Sequence, residues 1–177
     1  MRYKNNKIIV IINTIAIFLT MFLFSNVYKW VPTFLTAAIF PVNESLFEHL
    51  KLMFITEVIV SLITYLVLKL KSIKVNNYLF ALLISVISVI SLFFIIYLPF
   101  YSRFGENLFL TMALYLIVLI LGEYLFYLII TKLEHNFKLE LFASILLSII
   151  FIVLVYFTFN PIKNDFFFDP ISETYGY

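Results

Sequence analysis

Five stretches of this chain are apolar over about twenty residues or more, the length a helix needs to cross the hydrocarbon of a bilayer. They lie at about residues 8–28, 46–70, 78–98, 108–131 and 139–159. In lipid, every backbone polar group must find its partner within the fold, so runs of this length and count read as helices. Composition agrees, with 64% of residues hydrophobic and 12% charged, where soluble domains sit near half and a quarter. The expectation is an all-α membrane protein, one multi-pass domain over residues 1–177 with five transmembrane helices. There is no room for a second soluble domain. A net charge of +2 is too small to imply nucleic acid. The chain has no cysteine, which excludes disulfides, thiolate catalysis and cysteine-ligated metal.

The first span follows Arg2, Lys4 and Lys7, as a signal peptide's apolar region would. It continues past Phe22 with no small-residue cleavage site behind it, so it reads as an uncleaved span. Residues 30–40 are apolar but too short to cross, and Pro32 and Pro41 bracket them. A short interfacial or re-entrant helix is expected there. Residues 160–177 form a tail after the last span.

Orientation follows from the basic residues. With the N-terminus inside, the inner segments hold eight (Arg2, Lys4, Lys7, Lys69, Lys71, Lys74, Lys132, Lys138) and the outer ones four (Lys29, Lys51, Arg103, Lys163). This predicts an N-inside, C-outside protein. Pro32, Pro41, Pro99, Pro161 and Pro170 all fall at or beyond the outer span ends, so irregular, site-building backbone is expected on that face.

One polar cluster interrupts the apolar chain. Asn43, Glu44, Ser45, Glu48, His49 and Lys51 occupy nine residues at the mouth of the second span. Ionisable groups are expensive in a membrane, so their concentration here marks a candidate site. Part of it has a structural explanation. Asn43 suits an N-cap, Ser45 with Glu48 fits a capping box, and Glu44 suits the positive end of the helix dipole. Glu44 and Glu48 sit four apart, where like charges repel, and Lys51 offers relief on the same face. The pattern leaves three uses open: a salt-bridged cap, a cation or metal site of Glu44, Glu48 and His49, or acid–base catalysis by Glu48 or His49. Zinc motifs need two histidines on one face. The second histidine, His135, is expected in an inner loop, solvated and on the other side.

The same residues resemble the hallmark of a bacterial family of uncharacterised integral-membrane proteins, found mainly in low-GC Gram-positive species. Pro41-Val42-Asn43-Glu44-Ser45 running into Glu48-His49-Leu50-Lys51 is similar to its first motif. Phe166-Phe167-Phe168-Asp169-Pro170 with Thr174-Tyr175-Gly176-Tyr177 is similar to its aromatic-Asp-Pro and terminal Tyr-Gly signature. The chain departs at Ile55-Thr56-Glu57, where the family often has a proline, and keeps only Pro161 ahead of the tail. The resemblance implies a multi-pass fold and supplies no activity.

On this topology the cluster, the tail and the loop Tyr101–Asn107, with Arg103 and Glu106, share the outer side. One polar site is expected from Asn43, Glu44, Glu48, His49, Arg103 and Asp169, with Arg103 or Lys163 neutralising a carboxylate. Within the spans, Glu57 and Glu123 have no cationic neighbour in sequence. They read as neutral groups that fix helix register, or as stations of a proton or cation path from Glu48. Thr56, Thr64, Tyr65 or Tyr115 are expected to supply their partners, while Asn13, Thr14 and Thr20 read as helix-packing contacts. The leading functional reading is a binding or accessory membrane protein whose outer site takes a cation, a lipid headgroup or a partner protein. An intramembrane enzyme acting on lipid or envelope substrates comes second, and a small transporter subunit third. No cofactor motif is present; a divalent cation is compatible with the cluster. The expected partners are the lipid bilayer and a lipid or protein ligand.

Overall fold

The structure, a computed structural model, describes residues 6–105 and 107–177; Arg2, Lys4 and Glu106 lie outside them. Five of its six helices are long and apolar enough to cross a membrane: α1 (Asn6–Trp30), α3 (Leu46–Leu70), α4 (Tyr78–Phe104), α5 (Leu108–Lys132) and α6 (Phe137–Phe159). The sixth, α2 (Phe34–Ile39), follows α1 within the segment expected to hold a short helix. Thr33 starts α2 with a reciprocal cap. Its hydroxyl accepts from the Thr36 N–H, and the Thr36 hydroxyl accepts from the Thr33 N–H.

Two features depart from the expectation. Helix α4 does not stop at Leu98 but runs through Pro99 to Phe104. Proline removes one backbone donor there. Helical spacing still brings Tyr97 onto Tyr101 (ring centroids 5.6 Å apart) and Phe100 onto Phe104 (5.8 Å), which favours continuing the helix. The tail is also not wholly irregular. β1 (Phe168–Asp169) pairs antiparallel with β2 (Thr174–Tyr175), Phe168 opposite Tyr175 and Asp169 opposite Thr174.

Helix α4 packs against α3, α5 and α6, and α1 packs against α3 and α5. At Gly122 α5 comes close to α4. A Cβ at this position of α5 would lie 2.4 Å from Val89 Cγ2 and 3.1 Å from Ser85 Oγ on α4. One end of the bundle, the tail face, gathers the C-terminal ends of α1, α4 and α6, the N-terminal ends of α3 and α5, α2 and the hairpin. At the other end, Asn77 stands in the left-handed region (φ +50°) ahead of α4. Its side chain donates to the carbonyls of Leu133 and Glu134 and accepts from the Asn136 N–H. Those bonds close the α5–α6 turn against α4.

The distribution of polarity is the reverse of a soluble protein's. Ile8, Ile11, Ile15, Leu19 and Leu23 form a stripe along α1 in which every side chain is more than half exposed, while Glu48, Lys51, Glu57 and Glu123 are sealed inside. An apolar exterior around a polar core suits a lipid bilayer. The molecule is a multi-pass membrane protein.

Candidate functional site

The start of α3 is held by short-range hydrogen bonds. Ser45, not Asn43, is the N-cap: its hydroxyl accepts from the Glu48 N–H at 3.3 Å. Asn43 sits two residues earlier and does two other things. Its Oδ1 accepts from the Ser45 N–H at 3.0 Å, and its Nδ2 donates to the Gly176 carbonyl at 3.2 Å. The expected capping box is therefore half formed, because the Glu48 side chain does not return to the cap.

Glu48 turns into the bundle instead. Its Oε2 lies 2.7 Å from Lys51 Nζ and accepts from the Val42 N–H at 3.2 Å, and its Oε1 accepts from Thr158 Oγ1 at 3.1 Å. Lys51 also donates to Thr158 Oγ1 (2.8 Å) and to the Ala37 carbonyl (3.0 Å). Both charged side chains are wholly buried. The pair ties together α2, α3 and α6. Burying two charges is tolerable only because they meet each other and most of their remaining polar capacity is filled. Both oxygens of the Glu48 carboxylate are thus engaged.

Glu44 precedes the helix and belongs to a separate, half-exposed group. Its Oε1 lies 2.6 Å from Lys29 Nζ at the end of α1, and its Oε2 lies 3.7 Å from His49 Nε2. The other ring nitrogen of His49 is 2.9 Å from the Ser45 carbonyl oxygen. A carbonyl only accepts, so Nδ1 carries the hydrogen and Nε2 faces Glu44 and the site. Glu44, Glu48 and His49 thus do not converge as a chelating trio. Among the described residues, no three His, Asp or Glu side chains group closely enough to hold a metal ion.

Two cavities meet at Glu44, His49 and Tyr97. One, of about 170 Å³, descends between α1, α3 and α5. Lys29 and Glu44 edge it, and Met53, Met112 and Tyr115 line it more deeply. The other, of about 300 Å³, lies under the tail beside Tyr101, Asp165, Phe168 and Pro170. The tail is fixed over this region. The Phe47 N–H donates to the Phe166 carbonyl at 3.0 Å, Phe167 stacks on Phe47 with centroids 4.6 Å apart, and the Tyr177 N–H donates to the Thr158 carbonyl. Gly176 allows that last contact. It has φ +58°, and a Cβ there would lie 2.6 Å from the Thr158 oxygen.

Asp169 holds the hairpin turn. Burial of its carboxylate opposes ionisation. Hydrogen bonds from the Ser172 hydroxyl and from the N–H groups of Ile171, Glu44 and Ser172 outweigh that effect and keep its pKa below the ordinary aspartate value. It is a structural tie between the tail and Glu44, not an open ligand. Arg103 is a correction as well. It lies over the Phe104 ring, 5.7 Å from the centroid, and meets no carboxylate among the described residues. Lys29 and Lys51 neutralise the acids instead. Lys163 is exposed and forms no ion pair among the described residues.

Deeper in the bundle, Glu123 accepts from Asn13 Nδ2 through both oxygens (3.1 and 3.2 Å). Asn13 Oδ1 accepts from Thr64 (2.9 Å), and Asn13 Nδ2 also reaches Ser61 Oγ. Glu57 is different. It is fully buried, and neither carboxyl oxygen has a hydrogen-bond partner among the described residues; nor does Tyr115 OH or Ser85 Oγ. Of the hydroxyls expected to serve these acids, Thr64 acts only through Asn13. Thr56 turns back on the Leu52 carbonyl, and Tyr65 packs on Tyr78.

The chain matches, over residues 1–177, the model of a family of unknown function, DUF6512. It belongs to that family. No curated protein and no solved structure matches the chain. Site residues of this DUF6512 member that sequence reasoning missed are Lys29, Thr158 and the bridging role of Asn13. Lys29 had a signal, a cation on the same face as Glu44. Thr158 had none, since a lone threonine near a span end is ordinary.

Proposed function

We propose that this DUF6512 protein binds a zwitterionic lipid headgroup, one with both a phosphate and an ammonium, at the tail face. The observation that carries this reading is the pair of cavities sharing Glu44 and His49. The deeper one has a cation, Lys29, at a mouth above an apolar wall. The shallower has the carboxylates of Glu44 and Asp165 beside Tyr97, Tyr101 and Phe168. Ammonium groups are favoured by carboxylates and aromatic rings, and phosphate by lysine. The apolar wall accepts the start of an acyl chain.

The orientation that suits this role is N-inside and tail-outside, in a bacterial cytoplasmic membrane. Eight basic residues against four support it, and two of the outer four, Lys51 and Lys29, are paired with Glu48 and Glu44. Binding is tested by thermal unfolding in detergent with a short-chain phosphoethanolamine lipid. A lipid at a hundred times its Kd stabilises by about 2.7 kcal/mol, a shift lost in Lys29→Met and Glu44→Gln. A short-chain phosphoglycerol lipid gives less. Equal shifts for wild type and both variants would refute the site.

A further inference from the structure

The deeper tail-face cavity has a feature that lipid binding does not use. The chain has four methionines. Met1 lies outside the described residues. The other three, Met21 on α1, Met53 on α3 and Met112 on α5, all line this one cavity of about 170 Å³. Three helices thus each contribute a methionine to the wall of one space. Methionine commonly serves as the adaptable filler of irregular gaps. Here the gap between the three stays open, while the two buried cores are otherwise built from aliphatic and aromatic side chains.

A nitrogen donor stands one turn nearer the mouth than Met53. His49 and Met53 are four apart on one face of α3, and both line the cavity. The His49 Nδ1–H donates to the Ser45 carbonyl at 2.9 Å. A histidine that ligates a metal almost always gives its other ring N–H to such a partner, which fixes the tautomer and aims the free nitrogen. Nε2 is the nitrogen so aimed. It lies 3.7 Å from Glu44 Oε2, beyond hydrogen-bond distance, so its lone pair is open to the cavity.

Ligand softness selects the ion. Thioethers favour copper(I), and imidazole suits copper too, whereas hard divalent cations take carboxylates, carbonyls and water. The carboxylates at this cavity are already committed, Glu48 to Lys51, Val42 and Thr158, and Glu44 to Lys29. Among the described residues no trio of His, Asp and Glu gathers to hold a hard ion, and that leaves a thioether site open. The thioethers are neutral, so a monovalent ion brings the least charge into the apolar wall. Glu44 offsets the one fixed cation at the mouth, Lys29.

We propose that this cavity binds one soft monovalent metal ion, copper(I), through the thioethers of Met21, Met53 and Met112 and the Nε2 of His49. The ion enters and leaves as copper(I), and no electron moves. Copper(I) here is a ligand beyond the lipid headgroup, and its binding does not depend on that reading. The ion and the start of an acyl chain would occupy the same cavity, so the two ligands exclude each other.

Titration of the purified protein against the copper(I)–bicinchoninate complex tests this, in detergent, without added lipid and under ascorbate. The expected result is uptake of one copper(I) per chain, read as loss of the complex's colour. Met53→Leu and Met112→Leu keep the apolar volume. Each is expected to weaken uptake by about tenfold or more, the least that even a residue behind a metal ligand contributes. With Met21→Leu added to both, uptake is lost. X-ray absorption at the copper edge of the wild-type complex is expected to show sulfur nearest neighbours with one nitrogen, and it needs no variant to fold. The proposal is overturned if wild type takes no copper(I) from the chelator, if the triple variant takes as much as wild type, or if the nearest neighbours are nitrogen and oxygen alone. Thermal shifts with phosphoethanolamine lipid depend on Lys29 and Glu44, so the lipid reading and this one fail in different measurements.

Discussion

Glu48 and Lys51 form a wholly buried ion pair three residues apart in α3, at the point where three helices meet. Removing one partner leaves the other charged and stranded. Glu48→Gln or Lys51→Met alone is expected to cost about 3–5 kcal/mol, while Glu48→Leu combined with Lys51→Met costs far less, as read from unfolding in detergent. Gly122→Ala drives a methyl into Val89 and Ser85 and is expected to cost about 1–3 kcal/mol by the same measurement. Asp169 gives a pH prediction. Its folded pKa is lowered, so its contribution is complete above the ordinary aspartate value of 3.8 and is lost as pH falls through the lower folded value. Amide exchange at Ile171 and Ser172, corrected for intrinsic rates, should be steady from neutral pH to about pH 4 and should accelerate only below. Asp169→Asn should accelerate it at every pH. At this scale the sequence showed that 43–51 was a polar cluster but not how its charges divide. Spacing put Glu44 and Glu48 on one face. In the fold a cap residue separates them, and Glu48 finds its partners in α3, α6 and the backbone, while Glu44 finds Lys29 fifteen residues back.

The helices were legible because hydrocarbon thickness and hydrogen-bond satisfaction leave a twenty-residue apolar run little choice. Helix α3 spans Leu46–Leu70, as its run does. What failed was the assumption that proline ends a span. Pro99 lies within α4, where the aromatic pairs on either side favour continuing the helix. The β1–β2 hairpin was illegible for another reason. Two-residue strands carry no periodicity, and the turn depends on Asp169 accepting several N–H groups at once. The tail also makes a prediction as an element. Gly176→Ala imposes strain of about 1–3 kcal/mol at a left-handed position already in contact with the Thr158 carbonyl. That should release the tail end about tenfold more often, seen as faster chymotryptic cleavage at Phe166–Phe168 with α3 intact.

Across the whole molecule, polarity is sorted into three levels. The tail face has a half-exposed ionic group over two cavities, the core has the Glu57 centre, and the opposite end has the Asn77 clamp. Sequence alone could assign residues to levels once the spans were drawn, but it could not say which groups in a level touch, since that depends on helix rotation. The proposed lipid site requires that Glu44 and His49 open to the outside of the cell. The chain has no cysteine, so a single introduced one reports without background. In cells carrying His49→Cys, a membrane-impermeant maleimide should label position 49 before permeabilisation, and short-chain phosphoethanolamine lipid should slow the reaction. Labelling that appears only after the membrane is opened would contradict that orientation.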